Sequence, residues 1–175
     1  MKQLPEVKEI LITAEDIQNK VSQIGKQISE DYKGQDIFLI SILRGGLVFL
    51  ADLIRRIDCP LQYDTLEISS YGDEMESSGV VRLIKDLKSS IAGKNVIIVE
   101  DIVDTGYSLH YLLENLSTRH PKELKVCVLL DKSEARKEIV PIDYYGFKIP
   151  NRFIVGYGLD YQGYYRNLPY IGVLE

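Results

Sequence analysis

Three short, nearly unbroken apolar runs decide what this chain can fold into: Asp36–Leu43 (DIFLISIL), Asn95–Val99 (NVIIV) and Leu124–Leu130 (LKVCVLL). A strand with one face in water alternates apolar and polar residues, whereas a strand covered on both faces reads as a continuous apolar run. Helical stretches lie between them. Ile17, Val21, Ile24 and Ile28 form one stripe of a helix predicted from Thr13 to about Tyr32, with Thr13 and Asp16 as a capping box and Gly34 at its end. Gly45–Ile57 reads as a second helix with Leu47, Leu50, Ile54 and Ile57 turned inward, and Tyr107–Leu116 as a third. Leu61–Ser70 and Val80–Leu87 are further strand candidates, and Phe153–Val155 begins a fourth buried strand. Strands alternating with helices predict an α/β fold with a mainly parallel central sheet flanked by helices. Right-handed crossovers then align the strand C-termini along one edge, where ligands of such sheets bind.

The 175 residues suit one domain with a substantial core. With 45% apolar and 27% charged residues, and no repeat or linker, the chain is not disordered. A net charge of -5 offers no electrostatic reason to expect a nucleic-acid partner. Cys59 and Cys127 are too few and too far apart for a disulfide framework or metal-ligand spacing, and read as two buried thiols in a reducing compartment. The N-terminal MKQLPEVKEILIT has no sustained apolar stretch, and no run is long enough to span a bilayer. The expected location is the cytoplasm, with no membrane partner.

The strand VIIV runs directly into Glu100-Asp101, then Ile102-Val103, then Asp104-Thr105-Gly106-Tyr107-Ser108 before a helix. Two carboxylates at a strand end are costly to hold together unless a cation or hydroxyl groups satisfy them. The turn that follows adds hydroxyls, a glycine and the free N–H groups of a helix N-terminus, which together make a phosphate cradle. Singly, Asp104, Thr105 and Ser108 also fit helix caps. Caps give no reason for three carboxylates within five residues of an apolar strand. The whole string resembles the signature of the type I phosphoribosyltransferases: an apolar strand, two acids, two apolar residues, then Asp/Ala-Thr-Gly-x-Ser/Thr. The resemblance implies that Glu100 and Asp101 address ribose hydroxyls, directly or through Mg²⁺. It also implies that Asp104, Thr105, Gly106, Tyr107 and Ser108 hold the 5′-phosphate of phosphoribosyl pyrophosphate. Tyr107 stands where relatives often carry Lys or Arg, which leaves its backbone N–H for the phosphate. Members acting on 6-oxopurines have Asp at the position of Asp104. There it is the catalytic group, accepting the purine ring proton and stabilising positive charge on the sugar.

Leu43-Arg44-Gly45-Gly46 places two glycines at a helix start, where backbone can approach an anion closely. It resembles the family's pyrophosphate loop, which implies a cis bond between Leu43 and Arg44 and contacts from Leu43, Arg44 and Gly45. The polar, glycine-bounded SSYGDEMESSG reads as a hairpin excursion with a mobile tip. By resemblance it is a loop carrying Ser70 and Tyr71 that closes over the substrates and keeps water from the oxocarbenium-like sugar. Lys132, after its strand, reads alone as a surface lysine; the resemblance implies that it donates to a purine 6-oxo group and disfavours adenine. NRFIVGYGLDY resembles the family's C-terminal segment, which implies that Phe153 stacks on the purine, though its spacing fits a core residue as readily, and that the backbone of Ile154 reads the other edge. Asp160 would hold a second Mg²⁺ through water, Arg166 would meet pyrophosphate, and Arg44 and Arg152 fill phosphate-facing positions. His110, Glu114 and His120 read as structural or surface residues.

The resemblance runs from Asp36 to Asp160 and beyond. It implies one phosphoribosyltransferase domain over residues 1–175. The core spans about 10–145, a small hood is formed largely by about 146–175, and a mobile loop covers the site. The activity implied is that of the short bacterial hypoxanthine-guanine members: Mg²⁺-dependent transfer from phosphoribosyl pyrophosphate to hypoxanthine or guanine. A xanthine-preferring enzyme would share the same carboxylate and lysine. A regulatory relative that binds RNA or DNA would share the fold, but the acidic balance and complete acid set argue against it. The expected partners are the purine base and phosphoribosyl pyrophosphate, in a homodimer or homotetramer.

Overall fold

The structure, a computed structural model, describes residues 4–71 and 80–174. Its main sheet has the order β4-β3-β2-β5-β6-β7. These strands are β2 (Ile37–Leu43), β3 (Leu61–Tyr71), β4 (Val80–Lys85), β5 (Asn95–Val103), β6 (Glu123–Asp131) and β7 (Tyr144–Lys148). Every neighbouring pair is parallel except β3 and β4, so one antiparallel edge strand closes an otherwise parallel sheet.

The period-two geometry of strands explains how the apolar runs are used. Ile37 and Leu39 of β2, Ile97 and Val99 of β5, and Cys127 and Leu129 of β6 face α1 (Ala14–Asp31) and α2 (Gly46–Leu53). The intervening Phe38, Ile40, Val96, Ile98, Val126 and Val128 face α3 (Tyr107–Ser117) through its Leu109, Leu112 and Leu116. Each such side chain contributes about 1.5–3 kcal/mol by leaving water. The stripe Ile17, Val21, Ile24 and Ile28 is buried as its spacing predicts. Thr13 caps α1, accepting from the Asp16 N–H at 3.1 Å and donating to the Asp16 carboxylate at 2.6 Å. Gly34 follows its end at φ 74°.

Four expectations need correction. Leu47 is 48% exposed, and the inward face of α2 is Phe49, Leu50 and Leu53. The helix stops at Leu53 and a 3₁₀ turn covers Ile54–Arg56, so one helical phase does not hold through Ile57. At 3.6 residues per turn Leu47 lies about a third of a turn from the buried stripe. Phe153–Val155 does not extend the main sheet. The strand there is β8 (Ile154–Val155), in a separate antiparallel sheet of order β1-β9-β8 with β1 (Glu9–Ile12) and β9 (Ile171–Val173). The additional parallel strand is β7, whose YYGFK lacks a continuous apolar pattern. Its Gly146 lies so close to the Leu129 carbonyl that a Cβ would come within 2.4 Å. Finally, Cys127 is buried but Cys59 is half-buried, and both are free thiols.

β5 also runs four residues past Val99, through Glu100-Asp101-Ile102-Val103. The acids are therefore strand residues, flanked by the ladder to β6 through Glu100, Ile102 and Val103. No helix among the described residues is long and apolar enough to cross a membrane.

Candidate active site

The C-terminal ends of β2, β5 and β6 share one edge of the sheet, and the loops that follow them build the site. After β2 the Leu43–Arg44 peptide bond is cis, as the resemblance implied. Gly45 then passes so close to β5 that a Cβ would fall 1.8 Å from Asp101 Oδ2, and one on Gly46 would fall 2.7 Å from Ser41 Oγ. Both glycines are required by close approach.

Asp101 is buried, with Oδ1 accepting from the Ile102 N–H at 3.0 Å. Burial lifts its carboxyl to about 6, against backbone hydrogen bonds and the Arg166 guanidinium, which pull it down. Burial, aided by the Asp101 charge, holds Glu100 well above the usual carboxylate range. Glu100 Oε2 is buried without a hydrogen-bond partner. An orphaned carboxylate oxygen beside a second buried carboxylate is a pair of hard donors. It fits Mg²⁺, which is commonly held by one or two carboxylates together with substrate phosphate oxygens. Among the described residues no group of three His, Cys, Asp or Glu forms a closed cation cage.

Gly106 caps α3 at φ 90°, with no side chain bonded to the helix end. The first-turn N–H groups are thus left for an anion. Here a cavity of about 220 Å³ is lined by Glu100, Asp104, Thr105, Gly106 and Ser108. A second, of about 350 Å³, is lined by Gly45, Asp101, Asp104, Lys132, Phe153, Ile154, Asp160 and Arg166. Asp104 and Ile102 border both. Lys132 is only 8% exposed and places Nζ 3.0 Å from Asp104 Oδ2.

Phe153 is 44% exposed, which settles its role against a core residue. Its ring meets Tyr161 edge-on, with centroids 5.8 Å apart. Asp160 is shared between Arg166 Nη2 at 2.6 Å and the Gly163 N–H at 2.7 Å. Arg44 is exposed beside the cis bond and Tyr107 is the first residue of α3, but neither lines either of these two cavities. Arg152 lies apart too, paired with Glu9 of β1 at 2.6 Å. Ser70 and Tyr71 end β3, their side chains lying outside the described residues, as do residues 72–79 of the expected loop. His110 is a half-buried helix residue, 3.5 Å from Glu114.

One supporting residue escapes sequence reasoning. Arg136 reaches Asp131 Oδ1 at 2.5 Å and donates to the Asp104 carbonyl at 3.2 Å. The N–H groups of Lys137 and Glu138 both donate to the Thr105 carbonyl. The segment after β6 thereby braces the Asp104–Ser108 turn. An arginine in KSEARKE carries no local mark of that role.

The phosphoribosyl transferase domain matches residues 9–162 of this chain. A hypoxanthine-guanine phosphoribosyltransferase of Mycobacterium avium is 50% identical over 97% of this chain and 87% of the relative. One of Bacillus subtilis is 45% identical over 97% of this chain and 94% of its own. The crystal structure of a hypoxanthine phosphoribosyltransferase from Staphylococcus aureus superposes with a TM-score of 0.93 at 48% identity, covering 97% of this chain and 92% of that one. The chain belongs to the phosphoribosyl transferase family.

Proposed function

We propose that this chain is a purine-salvage enzyme. It transfers the phosphoribosyl group of phosphoribosyl pyrophosphate to N9 of hypoxanthine or guanine, giving IMP or GMP and pyrophosphate. The observation that carries this reading is Asp104, which borders both cavities and is ion-paired to the buried Lys132.

The smaller cavity, with free helix N–H groups and the hydroxyls of Thr105 and Ser108, takes the 5′-phosphate. Gly45 and the Arg44 backbone face the pyrophosphate, and Arg166 approaches it from the C-terminal segment. In the larger cavity the base lies against Phe153, with its 6-oxo group on Lys132 and its other edge on the Ile154 backbone. The N9–C1′ bond forms as the C1′–pyrophosphate bond breaks, and Asp104 receives the purine ring proton. The Asp104 carboxylate also faces the positive charge that develops on the sugar.

Glu100 and Asp101 would hold Mg²⁺, and Asp160 would hold a second ion through water; bound there, the metal would supply charge neutralisation for the departing pyrophosphate. Ser70 and Tyr71 begin a loop that closes over the substrates, and Arg152 supports the hood from Glu9. Residues 1–175 act as one domain, in the cytoplasm, as a homodimer or homotetramer without nucleic-acid or membrane partners.

Steady-state transfer to hypoxanthine, guanine, xanthine and adenine tests this. Hypoxanthine and guanine are expected to react. Asp104→Asn is expected to lower kcat about 10²–10⁴-fold. If no purine accepts the phosphoribosyl group the reading fails, and preference for xanthine would change the acceptor.

A further inference from the structure

The site described so far joins two chain segments, the loop after β2 and the turn carrying Arg166, and something must fix their spacing. Gly156, Tyr157 and Gly158 have φ of 102°, 48° and 102°. Tyr157 thus holds a left-handed conformation that L side chains rarely adopt, and contacts outside the residue must maintain it. Its N–H donates to the Leu168 carbonyl at 2.8 Å, and the Gly158 N–H donates to the Arg166 carbonyl at 3.0 Å. Arg166 Nη1 donates back to the Gly158 carbonyl at 2.5 Å. A Cβ at Gly158 would lie 2.2 Å from the Gly45 carbonyl oxygen, so this turn rests directly on the pyrophosphate loop.

The Tyr157 ring points away from the cavity into the core, and the residue is 4% exposed. Its hydroxyl donates to Asp52 Oδ2 at 2.6 Å. The same oxygen accepts from Gln18 Nε2 at 2.8 Å, while Oδ1 pairs with Arg55. Asp52 lies on α2, the helix that begins at Gly46, and Gln18 lies on α1. The carboxylate therefore anchors the Arg166 turn to the helix that starts from the opposite half of the site.

Resting on the site assignment above, we infer that Tyr157 and Asp52 are positioning residues that set the distance between the Leu43–Gly46 loop and Arg166. They thereby tune the site toward the pyrophosphate group and not toward the base. Neither residue lines the cavities. The base side is secured separately, by β8 pairing Ile154 with Val173 and by the Leu174 N–H on the Phe153 carbonyl. The pair is thus expected to separate the two substrates kinetically.

Steady-state kinetics with both substrates, alongside thermal unfolding of each variant, tests the proposal. Tyr157→Phe removes one charge-assisted hydrogen bond and is expected to raise KM for phosphoribosyl pyrophosphate about tenfold, with KM for hypoxanthine within about twofold of wild type. Asp52→Asn keeps an acceptor oxygen and gives a smaller rise. Tyr157→Phe combined with Asp52→Leu is no worse than Asp52→Leu alone, since each removes the same contact. Should Asp52→Leu fail to fold, Tyr157→Phe and Asp52→Asn still carry the comparison. An unchanged KM for phosphoribosyl pyrophosphate in folded Tyr157→Phe overturns the inference. So does an equal rise for both substrates that tracks lost stability. Arg166→Ala separates this from the underlying assignment: if it too leaves that KM unchanged, the placement of pyrophosphate itself is wrong.

Discussion

At the scale of single residues, the buried charged side chains Asp101, Asp131 and Lys132 lie at or beside the site. Lys132 is buried with Asp104 as its partner, and under the proposed function its ammonium donates to the 6-oxo group of the base. Lys132→Met is expected to lower kcat/KM for hypoxanthine roughly 10- to 100-fold, because a closed polar site loses one charge-assisted hydrogen bond. Adenine should be affected far less, and comparing kcat/KM for the two bases checks it. Asp101 gives a stability prediction. Burial lifts it from 3.8 to about 6. Between those values the folded chain binds more protons than the unfolded one, so stability of the ligand-free protein falls as pH rises through that window. Asp101→Asn removes the buried charge; it should raise Tm at pH 8, flatten the decline between pH 4 and 6, and abolish transfer. Calorimetry across pH reads this directly, and a lower Tm at pH 8 would contradict it. Asp101 and Asp104 were legible because their chemistry lies in one contiguous string, and Lys132 only through the family resemblance. Arg136 was not: its meaning comes from Asp131 and the Asp104 carbonyl, which only folding brings to it.

Among the elements, the strand–turn–helix units do most of the positioning. β5 continues through Glu100 and Asp101, with ladder pairs at Glu100 and Ile102, so the strand backbone fixes two carboxylates that a free loop would let turn toward water. The neighbouring turn is packed against them. Gly45 has an ordinary φ of -59°, so its need for glycine is steric and not conformational. Gly45→Ala would drive a Cβ into the Asp101 carboxylate. The expected result is a KM for phosphoribosyl pyrophosphate raised at least about tenfold with the far-ultraviolet spectrum unchanged; normal KM would show that the two loops can part freely. The apolar runs correctly marked β2, β5 and β6 as strands covered on both faces, because alternate residues serve two different helical layers. They failed at α2, where the helix ends after eight residues and the phase inferred over thirteen no longer applies.

Over the whole molecule, buried tyrosine–carboxylate hydrogen bonds join parts distant in sequence. Tyr32, at the end of α1, donates to Glu123 at 2.7 Å, and Tyr144 of β7 donates back to Asp31 of α1 at 2.7 Å. Two reciprocal bonds thus tie the first helix to the far edge of the sheet. The Tyr32 hydrogen bond leads the influences that hold Glu123 below the usual carboxylate range. A carboxylate lowered in the folded state stabilises above its unfolded value, and that contribution is lost as pH falls through the folded one. Tyr32→Phe is therefore expected to cost about 1 kcal/mol at neutral pH and to weaken the dependence of stability on pH below about 4. Urea unfolding at pH 7 and pH 3 measures both, and an identical loss at the two values would remove Glu123 from the explanation.

What the sequence determined by itself was chemistry written on neighbouring residues: the acids and phosphate cradle of Val96–Leu109, the glycine turn after β2, and the layered sheet that presents them. Short-range geometry suffices there, since a strand leading into a helix start already aims its turn at a ligand. Tertiary structure decided how remote pieces close the site. β1, β8 and β9 contain only two to four residues each, too few to show a periodicity, so the pairing of the N-terminal strand with the C-terminal segment could not be read. The same is true of Asp52 and Tyr157, which are 105 positions apart. Each is an ordinary residue in its own segment, and only the packing of α2 against the turn gives their hydrogen bond a task.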